Sequence, residues 1–382
     1  MDFDLSDEQR QLSDNLARLM KERYGFESRK AYGAAALGFS EELWRQYAEL
    51  GLLGAPFAEA DGGFGGGAVE TMLIEEAFGR ALVLEPYLPT VVLGGGVLRH
   101  GASQAQREAM ISAIAAGELR LALAHAERGS GFDLFDVAAS ARKDGTAWVL
   151  DGEKGLVLNG DSAQKVIVLA RTAGGRREKG GLGLFLVDAA APGVARRGYP
   201  TQDGLRAAEI TLANVRVDAE EVIGDPEGAG AVLERVVEDA IAALCAEAVG
   251  AMTEAMEITT EYLKTRKQFG VPIGSFQALQ HRAAEMVVAL EQARSMMMFA
   301  TMMTSEADAG ERAKAIFAAK IQIGRSAKFI GQQAMQLHGG IAMTHEYKLG
   351  HLFKRMTMID MSYGDADWRL KKLGEGASLF AA

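Results

Sequence analysis

Two short stretches near the C-terminus combine one arginine, one aromatic residue, two glutamines and two adjacent glycines. These residues are Arg266, Phe269, Gln277, Gln336, Gly339 and Gly340. An arginine can hold a pyrophosphate with two charge-assisted hydrogen bonds, and glutamine amides can bind phosphate or ribose oxygens. Glycines let a ligand approach the backbone where a Cβ would clash. Each residue alone is better explained as a surface or helix-end residue, so the interpretation depends on their joint spacing.

Composition excludes several classes of protein. The 382 residues are 48% hydrophobic and 24% charged, which is typical of a globular protein with two or three domains. A net charge of −10 provides no electrostatic footprint for nucleic acid. The single cysteine, Cys245, excludes an internal disulfide framework and fits a reducing cytoplasm. Its apolar neighbours predict a buried helical residue rather than a reactive thiol.

No segment has the pattern of a secretion signal or a membrane span. The N-terminus is acidic and polar, without a basic region followed by an apolar run. The longest apolar candidate, residues 240–256, contains Glu247 and Glu254 and is predicted to be a buried bundle helix. We therefore expect a cytoplasmic protein with no membrane insertion.

Residues 1–120 predict an N-terminal helical domain. Ser6 and Gln9 form a capping-box pattern before a helical apolar series, and Ser40 is expected to cap a second helix. Further helices are predicted over 69–84 and from Ser103.

Residues 121–227 predict a middle β domain, a small barrel or sandwich. Short apolar runs separated by glycines predict strands at 148–150, 166–170, 184–187 and 208–212. The glycine-rich basic segment 171–183 is interpreted as a solvated hairpin tip.

Residues 228–382 predict a C-terminal four-helix bundle, so the whole chain has an α+β fold. Helices are expected over 232–266, 276–307, 311–337 and near 368–373. The methionines at 296–298 and 302–303 could line an adaptable pocket, but core packing or a subunit interface is favoured.

Over essentially its full length the chain resembles the acyl-CoA dehydrogenase family. The three-part order, the segment Ala126–Asp133, the turn Gly152–Gly160 and the spacing of the C-terminal motifs carry the resemblance. It implies lipid metabolism, an acyl-CoA substrate and FAD bound in a dimer or tetramer. In that family the bundle of one subunit holds the adenosine end of its neighbour's FAD, which is the role implied for Arg266 and the five residues grouped with it above.

The family's catalytic carboxylate has no counterpart here. The resemblance implies a glutamate that removes an α-proton while a hydride leaves the β-carbon for the flavin. Most members place it in a Tyr-Glu-Gly-Thr motif, where this chain has Gly364, and others place it early in the first bundle helix, where this chain has Ala240. The catalytic residue is therefore unknown. Asp365 and Asp239 lie one residue away, and a cap or a local hydrogen bond is the favoured role for Asp365.

The contacts to the flavin ring are also missing. The family turn places a tryptophan against the flavin and a threonine near N5, and these positions are Leu156 and Leu158 here. In the earlier loop Ala126 replaces a threonine and Phe132 replaces a serine. No histidine and carboxylate pattern predicts a metal site.

These features suggest a subunit of a hetero-oligomeric acyl-CoA dehydrogenase that provides adenosine-side FAD contacts to a catalytic, paralogous partner. One alternative is a self-sufficient homo-oligomeric dehydrogenase that uses Asp365 or another base. A second alternative is a flavin-free assembly protein on the same fold.

Overall fold

A computed structural model describes residues 5–375 of the chain. The chain divides into two compact units. The first unit contains residues up to 30, 68–83 and those from 241 onward, and the second contains 31–67 and 84–240. N-terminal helices, a middle sheet and a C-terminal helical bundle confirm the α+β fold class, while domain boundaries near residues 120 and 227 stay a prediction.

The helices follow the apolar periodicity of the sequence. Within residues 5–375 the α-helices are α1 (Asp7–Arg23), α2 (Phe26–Gly33), α3 (Glu41–Glu49), α4 (Ala68–Ala81), α5 (Gly95–Gly101), α6 (Gln104–Ala115), α7 (Ala229–Thr265), α8 (Gln277–Met303), α9 (Ala309–His338), α10 (Lys348–Met361) and α11 (Ala366–Glu375). The predicted capping box is present, because the Gln9 N–H donates to Ser6 Oγ over 3.2 Å and the Ser6 N–H donates to Gln9 Oε1 over 3.0 Å. Ser40 caps α3 by accepting from the Leu43 N–H, as expected.

The strands are β1 (Leu121–Ala124), β2 (Ser140–Asp144), β3 (Ala147–Leu158), β4 (Lys165–Arg171), β5 (Leu182–Asp188), β6 (Val194–Pro200), β7 (Arg206–Val217), β8 (Val222–Ile223), β9 (Lys267–Gln268) and β10 (Val271–Pro272). The large sheet has the order β6-β7-β3-β2-β4-β5-β8, and β1 pairs with β4 in parallel. All four predicted strands are present within β3, β4, β5 and β7. The segment after Arg171 forms the tip of the β4–β5 hairpin, as predicted.

The large sheet folds around its own core. Strands β2 and β4 share a single residue pair, Ser140 with Arg171, so the sheet can bend at this point. Buried side chains from β3 and β7 then pack in the same cluster as those of β4 and β5. The Trp148 and Phe185 rings, on strands that are not neighbours in the sheet, have centroids 5.4 Å apart. This sandwich-like arrangement places the core of the second unit behind the strand that carries the family turn.

In the first unit α4 and α7 cross at very short range. A Cβ placed on Gly79 of α4 would overlap the carbonyl oxygen of Glu247 on α7, and one on Gly250 of α7 would overlap the carbonyl oxygen of Glu76 on α4. Each helix therefore needs a glycine where it meets the backbone of the other. Cys245 lies buried on α7, as predicted, and burial raises the pKa of its thiol to about 12.

The crossing buries two carboxylates beside one arginine. Glu247 and Arg355 of α10 form a bidentate pair with distances of 2.6 and 2.5 Å. Glu75 of α4 is also buried, and its Oε1 has no hydrogen-bond partner among the described residues. Burial and the charge of Glu247 raise the pKa of Glu75 well above its ordinary value, against the opposing effect of Arg355. One arginine thus neutralises Glu247, and the protonated form of Glu75 is favoured.

Replacing Glu75 by glutamine should change how stability depends on pH. Below the unfolded-state pKa of about 4.3, Glu75 is protonated in both states. As pH rises from there to the folded-state pKa, the unfolded chain releases its proton first, so the native protein loses about 1.4 kcal/mol of stability per pH unit. Glu75→Gln removes this loss. Denaturant unfolding between about pH 4 and pH 7 should show a free-energy difference that grows with pH in favour of the variant.

The matched control is Glu8→Gln in the exposed first turn of α1, which makes the same substitution outside the protein core. A free-energy difference between Glu75→Gln and the native protein that does not change with pH would contradict the prediction, because it would mean that Glu75 has the same pKa in the folded and unfolded chains.

Candidate functional site

The predicted pyrophosphate arginine precedes a tight hairpin. Arg266 directly follows α7 and is exposed, and its N–H donates to Tyr262 O over 2.9 Å. Strands β9 and β10 are joined by the two-residue turn Phe269-Gly270, with φ angles of 54° and 81°. Both residues are left-handed, as a tight hairpin turn requires, but a phenylalanine in this conformation is strained. The Phe269 side chain is nevertheless 91% exposed.

Helix α8 starts immediately beyond this hairpin. Its first residue is Gln277, which is exposed, and the preceding Phe276 provides no side-chain cap. The Phe269 and Phe276 rings meet edge to face with centroids 6.0 Å apart. An uncapped start of a long helix leaves backbone N–H groups available to an anion.

The second predicted stretch ends α9. Gln336 is exposed in the last turn, and Gly339 leaves the helix with a φ of 66°. A Cβ on Gly339 or on Gly340 would meet no atom within 4 Å, so the space beside both glycines is open. His338 is buried beneath them, and its ring stacks on Tyr262 with centroids 4.3 Å apart.

Two contacts bring these segments of the bundle together. The Tyr262 hydroxyl donates to His338 O over 3.5 Å, which joins the end of α7 to the end of α9. Arg282 in the first turns of α8 donates to Gln333 of α9 over 3.1 Å. The end of α7, the start of α8 and the end of α9 therefore form one exposed surface. Its arginine, amides, open glycines and uncapped helix start fit a diphosphate and ribose, as the adenosine end of FAD requires.

The β-domain turn keeps its backbone geometry without its ligand contacts. Leu156 has a φ of 49° and is 52% exposed, at a register shift between β3 and β7. Asn159 is left-handed at 58° and buried, and its N–H donates to Arg206 O over 3.0 Å. Leu156 and Leu158 offer only aliphatic carbon where a ring contact and a hydroxyl are expected. The side chains of this turn therefore do not fit the polar edge of a flavin.

A buried ion pair anchors the loop that precedes this turn. The Lys154 ammonium donates to Glu127 Oε1 over 2.7 Å, and the same carboxylate accepts the N–H groups of Ala138 and Ala139. Burial lowers the pKa of Lys154 to about 8 in spite of Glu127. Burial opposes ionisation of Glu127, but Lys154 outweighs it and lowers the carboxyl pKa. The pair fixes the loop structurally and leaves no free acid or base.

The C-terminal motif contains a left-handed pair before α11. Tyr363 and Gly364 have φ angles of 57° and 99°. Asp365 caps α11, because its Oδ1 accepts the Trp368 N–H over 2.8 Å. A left-handed glycine followed by a capping residue matches the Gly-Thr part of Tyr-Glu-Gly-Thr. Aligning these features gives a second alignment, shifted by one residue, in which Tyr363 rather than Gly364 lies at the glutamate position, and the placement of the base at Gly364 stays a prediction.

Neither alignment provides a carboxylate base. Burial raises the pKa of Tyr363, which makes its phenol a poor base. A Cβ on Gly364 would lie 2.5 Å from Trp368 Cε3 and 3.1 Å from Arg369 Nε, so a side chain there has no room. The Asp365 carboxylate is engaged as a cap, as the sequence favoured. The sequence contained no signal that the Trp368 ring lies against Gly364. The Gly-Asp pair before a helix, however, could have indicated the alignment with the Gly-Thr part of the family motif.

The alternative base position is equally unsuited. Ala240 is fully buried in α7. The neighbouring Asp239 is bound by Arg99, His100 and Arg235 at 2.7, 2.8 and 3.3 Å. Burial opposes ionisation of Asp239, but the His100 hydrogen bond and the two arginine charges outweigh it and lower its pKa. A carboxylate held by three basic side chains is a structural anchor and a weak base.

No group of three or more histidine, cysteine, aspartate or glutamate side chains among residues 5–375 is arranged to hold a metal ion. No helix in the same range is long and apolar enough to cross a bilayer.

Comparison with known proteins agrees with this architecture. Family models of the acyl-CoA dehydrogenase N-terminal, middle and C-terminal domains match residues 6–118, 122–217 and 227–377. The probable acyl-CoA dehydrogenase YngJ of Bacillus subtilis is 29% identical over 345 residues, covering 89% of this chain and 87% of YngJ. FadE12 of Mycobacterium tuberculosis is 30% identical over 315 residues, covering 81% of this chain and 80% of FadE12.

A solved structure extends the comparison to the fold. A variant of the steroid ACAD Tcur3481–Tcur3483 superposes with a TM-score of 0.86 at 30% identity, covering 97% of both chains. Other structures of the same fold contain FAD. The chain belongs to the acyl-CoA dehydrogenase family, whose members are FAD-dependent oxidoreductases acting on CH–CH groups.

Proposed function

We propose that this chain is a non-catalytic subunit of a hetero-oligomeric acyl-CoA dehydrogenase. Its bundle provides Arg266, Gln277, Gln336 and Gly340 to the FAD of a catalytic paralogue. The observation that carries the proposal is the contrast between two sets of residues in one chain. The residues predicted for the adenosine end are exposed at the end of α7, the start of α8 and the end of α9, while the positions expected for the base and the flavin ring contain no suitable side chain.

The exposed apolar side chains of the bundle support an association at this surface. Phe269 is 91% exposed, and Met343, which follows the two open glycines, is 77% exposed. Large exposed apolar residues mark contact surfaces, and Phe269 is also held in a strained backbone conformation. A paralogous subunit of the same fold would cover these side chains and bring its flavin to Arg266. FAD would provide the hydride acceptor, and this chain would bind and orient its diphosphate.

The substrate of the assembly is proposed from the similarity to Tcur3481–Tcur3483, which is named a steroid ACAD. This chain has Leu156 where the family has a tryptophan, and it has no residue suited to act as the base. Such a subunit leaves more space for a bulky acyl group. Polycyclic acyl-CoA thioesters, and next dicarboxylic ones, are therefore the first substrates to test with the pair.

Co-expression with the paralogue encoded nearest to it should change the FAD content. We expect about one FAD per two chains in the purified pair and little FAD in the lone protein, because a complete site needs a flavin-ring half that this chain lacks. Flavin absorbance and protein concentration give the ratio. One FAD per chain in the lone, homo-oligomeric protein would contradict the proposal.

Replacing Arg266 by lysine in the pair should weaken FAD retention. Lysine cannot form the planar two-bond grip on a diphosphate, and a charged hydrogen bond contributes about 1.5–3 kcal/mol, so we expect at least about a tenfold rise in the FAD dissociation constant. Retained flavin after dialysis measures this change. Arg18→Lys, at an exposed position of α1, is the matched control and should retain FAD normally. Equal retention by both variants would remove Arg266 from the proposed site.

Asp365→Asn separates this proposal from a self-sufficient enzyme. Asparagine caps helices about as well as aspartate, so the substitution keeps α11 capped and removes only the carboxylate. We expect the pair to keep its rate of flavin reduction by acyl-CoA, within about twofold. Abolished reduction with FAD still bound would identify Asp365 as the base.

A further inference from the structure

The first unit contains an apolar cavity unrelated to the FAD residues. It has a volume of about 310 Å³ and lies among α1, α4 and α8. Four methionines contribute to its wall, together with Leu73 and Val69. They are Met72, Met297, Met298 and Met302. The methionine cluster of α8 therefore does more than fill the core: Met297 is buried, and its neighbours shape an open pocket.

Methionine makes this wall adaptable. Its unbranched, polarisable side chain adjusts to ligands of irregular shape, whereas leucine or isoleucine would fix one shape. At about 30 Å³ for a group the size of a water molecule, the cavity holds roughly ten methylene groups. It thus suits one medium-length alkyl chain.

A second cavity of about 730 Å³ adjoins the first and is far more polar. Its lining includes four basic side chains, Lys21, Arg80, Arg294 and Lys348, and two acidic ones, Glu76 and Glu254. Lys348 is bound to Glu254 at 2.7 Å, and Arg80 is bound to the exposed Glu257 at 2.5 Å. Among the described residues Lys21 makes no ion pair, so its charge is available to a ligand.

The two cavities share one wall. Leu5, Leu73, Glu76 and Arg294 line both of them. Arg294 donates to Glu76 over 2.9 Å and to Thr253 over 3.2 Å, and it stays partly exposed. A guanidinium has five N–H donors, so Arg294 can keep both contacts and still bind an anion at the junction.

From this juxtaposition we propose that the first unit binds a single-chain anionic amphiphile, with its alkyl tail among the methionines and its anionic head beside Arg294 and Lys21. A free fatty acid and an alkyl phosphate share this chemistry. A tail of about ten carbons fits the apolar cavity, and the charge of Lys21 together with the remaining N–H donors of Arg294 favours a carboxylate or a phosphate head. The site is independent of the FAD surface and of the proposed pairing.

Titration calorimetry with decanoate, decyl phosphate and decanol tests the proposal on the purified protein. We expect one-to-one binding of at least one anion and at least tenfold weaker binding of decanol.

Variants of the cavity wall test where the ligand binds. Met298→Trp should fill the cavity and lower the affinity for the anion at least tenfold, and Val69→Phe should do the same from the facing helix. Lys21→Gln should lower the affinity for the anion and leave the affinity for decanol unchanged. The relative affinities of decanoate and decyl phosphate identify the preferred head.

Met303→Trp is the matched control, because Met303 lies on α8 outside the cavity wall. This variant should change the affinity for the anion by less than twofold. Circular dichroism of each variant establishes that it is folded, and FAD content of the co-expressed pair should not change. Absence of anion binding to the folded native protein would overturn the proposal. Binding that both cavity-filling variants leave intact would overturn it as well.

Discussion

The close crossing of α4 and α7 is the constraint on which the rest of the first unit depends. Gly79 and Gly250 each face a backbone carbonyl of the other helix, so neither position accepts a side chain. At this separation Glu75 and Glu247 become buried together, and Arg355 must come from α10 to neutralise one of them. The crossing therefore fixes a third helix by electrostatics as well as by packing, since removing the arginine would leave an unpaired buried charge.

The position of α10 determines what the C-terminal motif can do. Lys320 of α9 is buried, and its ammonium donates to the carbonyl groups of Ile359 and Asp360 at the end of α10. The following turn is left-handed at Tyr363 and Gly364, and Trp368 covers the space above Gly364. The packing around Gly364 thus leaves no space for a side chain. A glutamate at Gly364 would require the tryptophan to move.

Features governed by neighbouring residues were predictable from the sequence, and features governed by distant contacts were not. The caps at Ser6 and Ser40 depend on residues three positions away, so their pattern is visible in the chain. The strand β2 is polar and mostly exposed, and it forms because β3 pairs with it. The six adenosine-side residues were predicted from family spacing, and the structure gathers the segments that carry them on one surface. The alternative alignment at Tyr363 became apparent from the backbone φ angles, although the Gly-Asp pair before a helix was already a local signal for it.

Strain distinguishes the two halves of the predicted FAD site. Leu156 is left-handed, but Lys154 and Asn159 on either side are buried and hydrogen-bonded, so the interior of the sheet imposes this turn. Phe269 has no such support: its side chain is 91% exposed on a two-residue hairpin, where asparagine or glycine would cost less free energy. A strained conformation persists where something outweighs its cost. For Leu156 the compensation lies inside the chain, and for Phe269 the proposed partner and the dinucleotide bound between the two chains would provide it.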